Sequence, residues 1–301
     1  ITHDVAYDAA FASARQHGDA IRLVLRSGLP ELAFVQPGDT TTAKAAETAN
    51  RKLVTDSTIT DWLPSITAST KGRAGKAKQL LDCTNVAIPS DDLPLDTTGI
   101  VGFTADAPSK VDAIGLAGAA PTAYESADHL YLASSGRGPV WGDCLDECVT
   151  GSSTMTSQDG NRSGTSYLFD FELDGTRATH VASGKVEGEI RDRWAIDEAD
   201  GVLRVAVGAT SETGNFSSIV TFERQGKQLV EHGRLDGLGR NESIQSVRWF
   251  DDLAVLVTFR QVDPLYAIDL TDTTAPTLIG KLKLPMGRTA PRFQDRIRGR
   301  H

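Results

Sequence analysis

Between Asp251 and Asp272 the chain reads DDLAVLVTFRQVDPLYAIDLTD: two apolar runs of strand length divided by a short polar stretch. Runs of four to eight aliphatic and aromatic residues with partial alternation predict β-strands, and a mixture of alternation and continuous apolar stretches predicts strands packed on both faces. The pattern is not isolated. Paired runs recur as AIRLVLRSG with TGIVGFTAD, HLYLASS with SYLFDFELDG, and GVLRVAVGA with SIVTFERQG. Before each pair lies a shorter strand ending in a polar turn, as in RWAIDEADG and SVRWFDD, and Gly-Asp, Ala-Asp, Asp-Gly and Asp-Asp suit tight hairpins. After each pair comes a fourth strand. In three cases it carries glycine, a basic residue and an aliphatic one: Gly184-Lys185-Val186, Gly233-Arg234-Leu235 and Gly280-Lys281-Leu282, with a weaker echo at Gly115-Leu116-Ala117.

The repeating unit is therefore four antiparallel strands, a to d, with a period of about 40–50 residues, which is the sequence signature of a propeller blade. The predicted fold is all-β: a β-propeller of four visible blades forming an incomplete ring, with a helical insertion in the first blade. Blade 1 spans 11–118, blade 2 spans 121–188, blade 3 spans 190–238 and blade 4 spans 244–285. An irregular β-sandwich is the plainer alternative, but it does not account for the matched glycine copies.

The blades differ chiefly between strands b and c. Blade 4 has only RQVDP there, whereas blade 2 has the insertion 134–165 and blade 1 the insertion 27–96. All b–c loops of a propeller leave from one side of the disc, and loops of such length without strands of their own are commonly functional or disordered. Arg260, Gln261 and Asp263 lie in the shortest of these loops and are the candidate ligand-binding residues; the structural alternative is an Arg260 ion pair with a neighbouring blade and an Asp263 turn cap. In blade 1, Thr41 to Ser65 predicts a helix starting near Thr41 or Thr42 and ending before Pro64, with Trp62 packed back on the disc.

Composition narrows the choices. With 40% hydrophobic and 24% charged residues over 301 positions, the chain is of globular type. A net charge of −9 argues against a nucleic-acid surface, which needs clustered cations. Basic residues gather only at the end, where 286–301 is expected to be a disordered or non-native tail. No apolar run is long enough for a membrane span. The three cysteines are too few for a disulfide framework. Cys144 and Cys148 are candidates for one small-loop disulfide, and Cys83 for a buried or free thiol. Asp143, Asp146 and Glu147 beside that pair are the candidate metal ligands, calcium being the ion that carboxylates suit; otherwise no cofactor is expected. None of the six histidines falls in a b–c loop, which weakens a hydrolase reading.

The segments SVRWFDDLAVLVTFRQVDPLYAIDLTDTTAPTLIGKLKLP, DRWAIDEADGVLRVAV and STITDWLP together resemble the secreted or surface proteins of bacteria that carry a C-terminal β-propeller distantly related to WD repeats. The resemblance runs from the first residues to Pro285. It implies an exported protein, extracellular or membrane-anchored on the outer cell surface, and no defined activity. WGDCLDECVTG and the arginine-rich end depart from it.

Two functions are expected on these grounds. The first is a non-catalytic interaction module that binds a protein, peptide or cell-wall ligand on the face with the long b–c loops, and not nucleic acid. The second is an extracellular enzyme, a carboxylate-based hydrolase or metal-dependent lyase, with its site at the central opening. Four blades with a bare last strand also need completion, by a second copy or by further blades.

Overall fold

The computed structural model describes residues 3–70, 72–134, 164–210, 214–259 and 263–284. In chain order the strands are β1 (His3–Tyr7), β2 (Ala10–His17), β3 (Ala20–Arg26), β4 (Ser65–Thr70), β5 (Arg73–Ala74), β6 (Lys78–Gln79), β7 (Val86–Ala87), β8 (Thr97–Thr104) and β9 (Asp112–Ala117). These are followed by β10 (Thr122–Glu125), β11 (His129–Ser134), β12 (Thr165–Asp174) and β13 (Arg177–Glu187). The remainder are β14 (Ile196–Ala199), β15 (Val202–Val207), β16 (Ser217–Gln225), β17 (Gln228–Leu238), β18 (Ser243–Trp249), β19 (Leu253–Phe259), β20 (Asp263–Asp269) and β21 (Thr277–Leu284). Two helices, α1 (Ala43–Asp56) and α2 (Ile59–Trp62), fall between β3 and β4.

Pairing joins these strands into an all-β, propeller-like fold. The order β2-β3-β8-β9 forms blade 1, with β7 added parallel to β9. Blades 2, 3 and 4 are β10-β11-β12-β13, β14-β15-β16-β17 and β18-β19-β20-β21. Local chemistry sets the hairpins. In the a–b turn of blade 3, Asp200 and Gly201 take φ of 51° and 78°, the left-handed pair that a two-residue turn between twisted strands requires.

The core lies between blades. Leu168, Ala182 and Val186 of blade 2 meet Leu203, Val205 and Phe222 of blade 3, which in turn meets Ala254, Leu256, Tyr266 and Ile268 of blade 4. Between blades 1 and 2, Val24, Ile100 and Leu116 pack on Leu130, Leu132 and Phe171. Because β11, β15 and most of β16 are buried on both faces, their runs are apolar throughout. Charges between blades are paired. Arg22 reaches Glu125 at 2.7 Å and the Gly175 carbonyl, and Arg204 holds Asp197 and the Asp251 carbonyl of the next blade.

The blade-1 insertion differs from expectation in two ways. It contains strands: β4 pairs antiparallel with β1 and carries β5 and β6 beside it. This small sheet closes over the side of blade 1 turned away from blade 2. There Val5, Tyr7, Ile66, Leu80 and Leu81 bury Leu23, Leu25, Val101 and Phe103. A one-sided loop is thus also a cap for the end of the blade stack. The predicted single helix is also two. It starts as expected, with the Thr42 hydroxyl accepting from Ala45 N, but breaks at Ser57, where the chain turns extended and Thr58 and Asp61 open α2. A hydroxyl residue with an acid three positions later is a helix start, so the break was written into Thr58-Ile59-Thr60-Asp61.

Candidate functional site

The base of the insertion is fixed by one carboxylate. Asp96, with only 1% of its side chain exposed, accepts from Arg26 Nε at 2.8 Å, Gly28 N at 2.8 Å and Thr97 N at 2.7 Å. It therefore clamps the chain where it leaves β3 to where it enters β8. Further out, Asn50 on α1 holds residue 35 from both sides, accepting from Val35 N at 2.8 Å and donating to Val35 O at 2.9 Å. The segment after Gly28 is so tied to the helix, although it has no regular structure of its own.

These ties leave a cleft of about 400 Å³ at the b–c end of blade 1, with Leu29, Ile59, Trp62, Ile88, Leu93 and Leu95 in its wall. Large apolar side chains here stay in solvent: Ile88 is 83% exposed and Leu95 76%. Such side chains gathered on one surface mark an interaction site more often than scattered ones do. The floor needs glycine at Gly118, whose φ is 142° and whose missing side chain makes room for Leu93. Trp62 is half-buried, and its indole N–H donates to Ser57 Oγ at 2.8 Å. On its other side lies a second hollow of about 400 Å³ that includes Asp8, Glu31 and Asp61, all exposed. The Asp61 carboxyl is held below the usual carboxylate range by its bonds from the Thr58 backbone and hydroxyl. An apolar cleft and an acidic hollow thus share Gly28, Leu29, Trp62 and Leu63 as their dividing wall.

Tyr124, Glu125, Asp170 and His180, whose acidity is also shifted, lie elsewhere. Burial and the nearby Asp197 push Tyr124 up to about 12. Burial raises Glu125 against the pull of Arg22, and raises Asp170 although His129 Nδ1 stands 2.6 Å from it. Burial lowers His180. All of these sit between blades 1, 2 and 3, where they serve packing, and none borders the cleft. Among the described residues, no group of three His, Cys, Asp or Glu side chains is placed to hold a metal ion.

The structure places the residues singled out in the sequence as follows. Arg260 and Gln261 lie outside the described residues, as do Asp143, Asp146, Glu147, Cys144, Cys148 and the tail 286–301; Asp263 opens β20. Cys83 is free and exposed, not buried, and borders the cleft. The cleft itself escaped sequence reading. Its signal was present in the isolated apolar residues of Ile88-Pro89-Ser90 and Leu93-Pro94-Leu95, which no strand or helix period explains. Among the described residues no helix is long and apolar enough to cross a membrane.

Relatives of this chain come from archaea, whereas the resemblance of the segments pointed to bacteria. It is 36% identical over 107 residues to an uncharacterized protein of Methanocaldococcus jannaschii, a match covering 35% of this chain and 17% of that protein. It is 34% identical over 100 residues to an uncharacterized protein of Archaeoglobus fulgidus, covering 33% and 15%. The matches thus span less than a fifth of either relative. Among solved structures, the acylaminoacyl peptidase of Pyrococcus horikoshii aligns over 87% of this chain and 45% of its own, at 8% identity and a TM-score of 0.27. Residues 1–286 match the Beta propeller domain family, and with nearly the whole length matched and four-stranded blades following one another in space, the chain belongs to that family.

Proposed function

We propose that this chain is a non-catalytic interaction module that binds an extended peptide at the b–c end of blade 1. An apolar side chain enters the cleft lined by Leu29, Ile59, Ile88 and Leu95, and a neighbouring basic residue lies in the hollow with Asp8, Glu31 and Asp61. The observation that carries this reading is the shared wall: Trp62 separates an apolar cleft from an acidic one, so a ligand crossing it meets both chemistries within a residue or two. A cation beside the Trp62 ring gains a further attraction. The overall charge of −9 attracts the same class of partner. That Tyr124, Glu125, Asp170 and His180, with acidity shifted by burial, lie between blades and away from this cleft favours binding over catalysis. Action at the cell surface belongs to the same reading and rests on the resemblance alone.

The reading is tested by calorimetric titration with two acetylated octapeptides, one alternating leucine and lysine, the other leucine and glutamate. The basic peptide is expected to bind, more weakly as salt rises, and to lose at least about tenfold in affinity, some 1.4 kcal/mol, with Leu95→Asp or Trp62→Ala. Equal binding of both peptides, or binding indifferent to Leu95→Asp, overturns it.

A further inference from the structure

One wall of the apolar cleft is a crossing between blades. Residues 88–93 bridge blades 1 and 2: Leu93 fills the space left by Gly118 on blade 1, and Asp91 Oδ1 stands 3.7 Å from Lys185 Nζ on blade 2. Ile88 and Leu93 line the cleft on one side of this ridge. On its other side Pro89, Ser90 and Asp91 line a third hollow, of about 390 Å³, bounded by strands c and d of blade 2 and the c–d turn of blade 3. Acidic hollow, apolar cleft and third hollow thus adjoin one another, divided first by Trp62 and then by the ridge.

Local structure decides what the third hollow presents. Lys185 lies opposite Tyr167 and Ser183 opposite Phe169, so these four side chains leave blade 2 on one face. The turn of blade 3 comes in from beyond strand d. Gly226 takes φ of 63° in it, and the Lys227 carbonyl accepts from Ser183 N at 3.1 Å. Gly184, two residues further along strand d than Gly233 is in blade 3, has no side chain to hold that turn away. A Cβ there would lie 2.7 Å from the Leu229 Cβ and carbonyl oxygen. The turn is thus drawn against blade 2, and Lys227 and Gln228 join Lys185 in one wall.

That wall carries more cations than anions. Among the lining residues Lys185 and Lys227 face a single carboxylate, Asp91. The Lys185–Asp91 pair is long, between side chains 61% and 42% exposed, and exposed pairs of this kind contribute little. No carboxylate pairs with Lys227 among the described residues. Ammonium groups brought into one hollow from two blades repel each other, and an added anion relieves that repulsion. Gln228 and the Tyr167 hydroxyl supply uncharged donors beside them.

We infer that this hollow is a further subsite of the peptide-binding surface and takes a carboxylate side chain of the same ligand. The inference rests on the reading of the cleft given above and adds an order to it: basic, apolar, acidic along the peptide. The ridge sets the spacing. Ile88 and Asp91 are three residues apart, at most about 10 Å of extended chain, so a peptide crossing beside them places its acid about three residues from its apolar anchor. A peptide with glutamates throughout gains little, because its other end meets Asp8, Glu31 and Asp61.

Four acetylated, amidated octapeptides test this by calorimetric titration: Lys-Leu-Lys-Leu-Gly-Ser-Glu-Gly, the same with glutamine for glutamate, and both sequences reversed. In one of the two directions the glutamate peptide is expected to bind about fivefold tighter than the glutamine peptide, the gain shrinking as salt rises. Lys185→Gln combined with Lys227→Gln is expected to remove that gain and to leave the glutamine peptide within about twofold of its parent affinity. Both lysines are exposed, so the double variant is expected to keep the parent Tm within about 1 °C. Equal affinity of glutamate and glutamine peptides in both directions overturns this inference and leaves the cleft reading standing. So does a gain that survives the double substitution. Failure of all four peptides to bind removes the cleft reading, and this inference with it.

Discussion

Blades 1 and 4 stand at the two ends of the described stack and solve the same problem differently. Among the described residues, each has one face buried against a neighbour and one with no neighbouring blade. Blade 1 covers its outer face from within: β1 and the insertion strands bring Leu80 and Leu81 onto it, and Leu81 is 1% exposed. Blade 4 has only three residues between strands b and c, and among the described residues its outer face keeps Leu282 and Phe259 in solvent. Units stacked in a row need special treatment at the ends, because each buries its apolar face only against the next. The insertion in blade 1 is thus a structural element before it is anything else.

Substitutions can sharpen this contrast. The largest loss is expected inside the stack: Phe222→Ala, at a side chain 1% exposed between blades 2 and 3, should cost about 3–5 kcal/mol in urea unfolding. Leu81→Ala in the cap should cost about 2–4 kcal/mol. A cost below about 1 kcal/mol would mean the cap is only loosely seated. Asp96→Ala should cost about 2 kcal/mol, since it strands donors on three residues, and should expose the insertion to limited proteolysis before the blades. Leu282→Ser on the open face should change stability by less than about 0.5 kcal/mol. A large loss there would mean the face is covered in solution.

A smaller effect follows from acidity. Burial lowers His180, so below its ordinary value of 6.5 the unfolded chain takes up a proton before the folded one does. The stability from keeping His180 neutral is therefore present above that pH and lost as pH falls toward the lowered value. Asp170, raised by burial, acts in the opposite sense at lower pH, which places the useful window just below 6.5. The Tm of the parent chain should fall more between pH 7 and 5.5 than that of His180→Gln.

The blades were legible because their signals are local. Asp200-Gly201 makes its turn from its own backbone preferences, and the two-sided burial of VLRVAV is visible in its unbroken apolar run. The cap was not legible for the opposite reason. β1 pairs with β4 across some sixty residues, β5 and β6 are two residues each, and neither carries a pattern long enough to be read. The cleft depends on that same long-range closure. Even the glycine repeat was only half readable, since a bulge between Asp170 and Phe171 and the offset of Gly184 appear only once strands are in register.

The position of the cap along the chain has a consequence in time. All of its parts, β1 and residues 59–81, are made before β8 and β9, the second half of the sheet they cover. On a ribosome, where folding proceeds from the first residues made, the lid of blade 1 is waiting when its sheet is completed. Among the described residues, no segment made earlier covers the outer face of blade 4 in the same way.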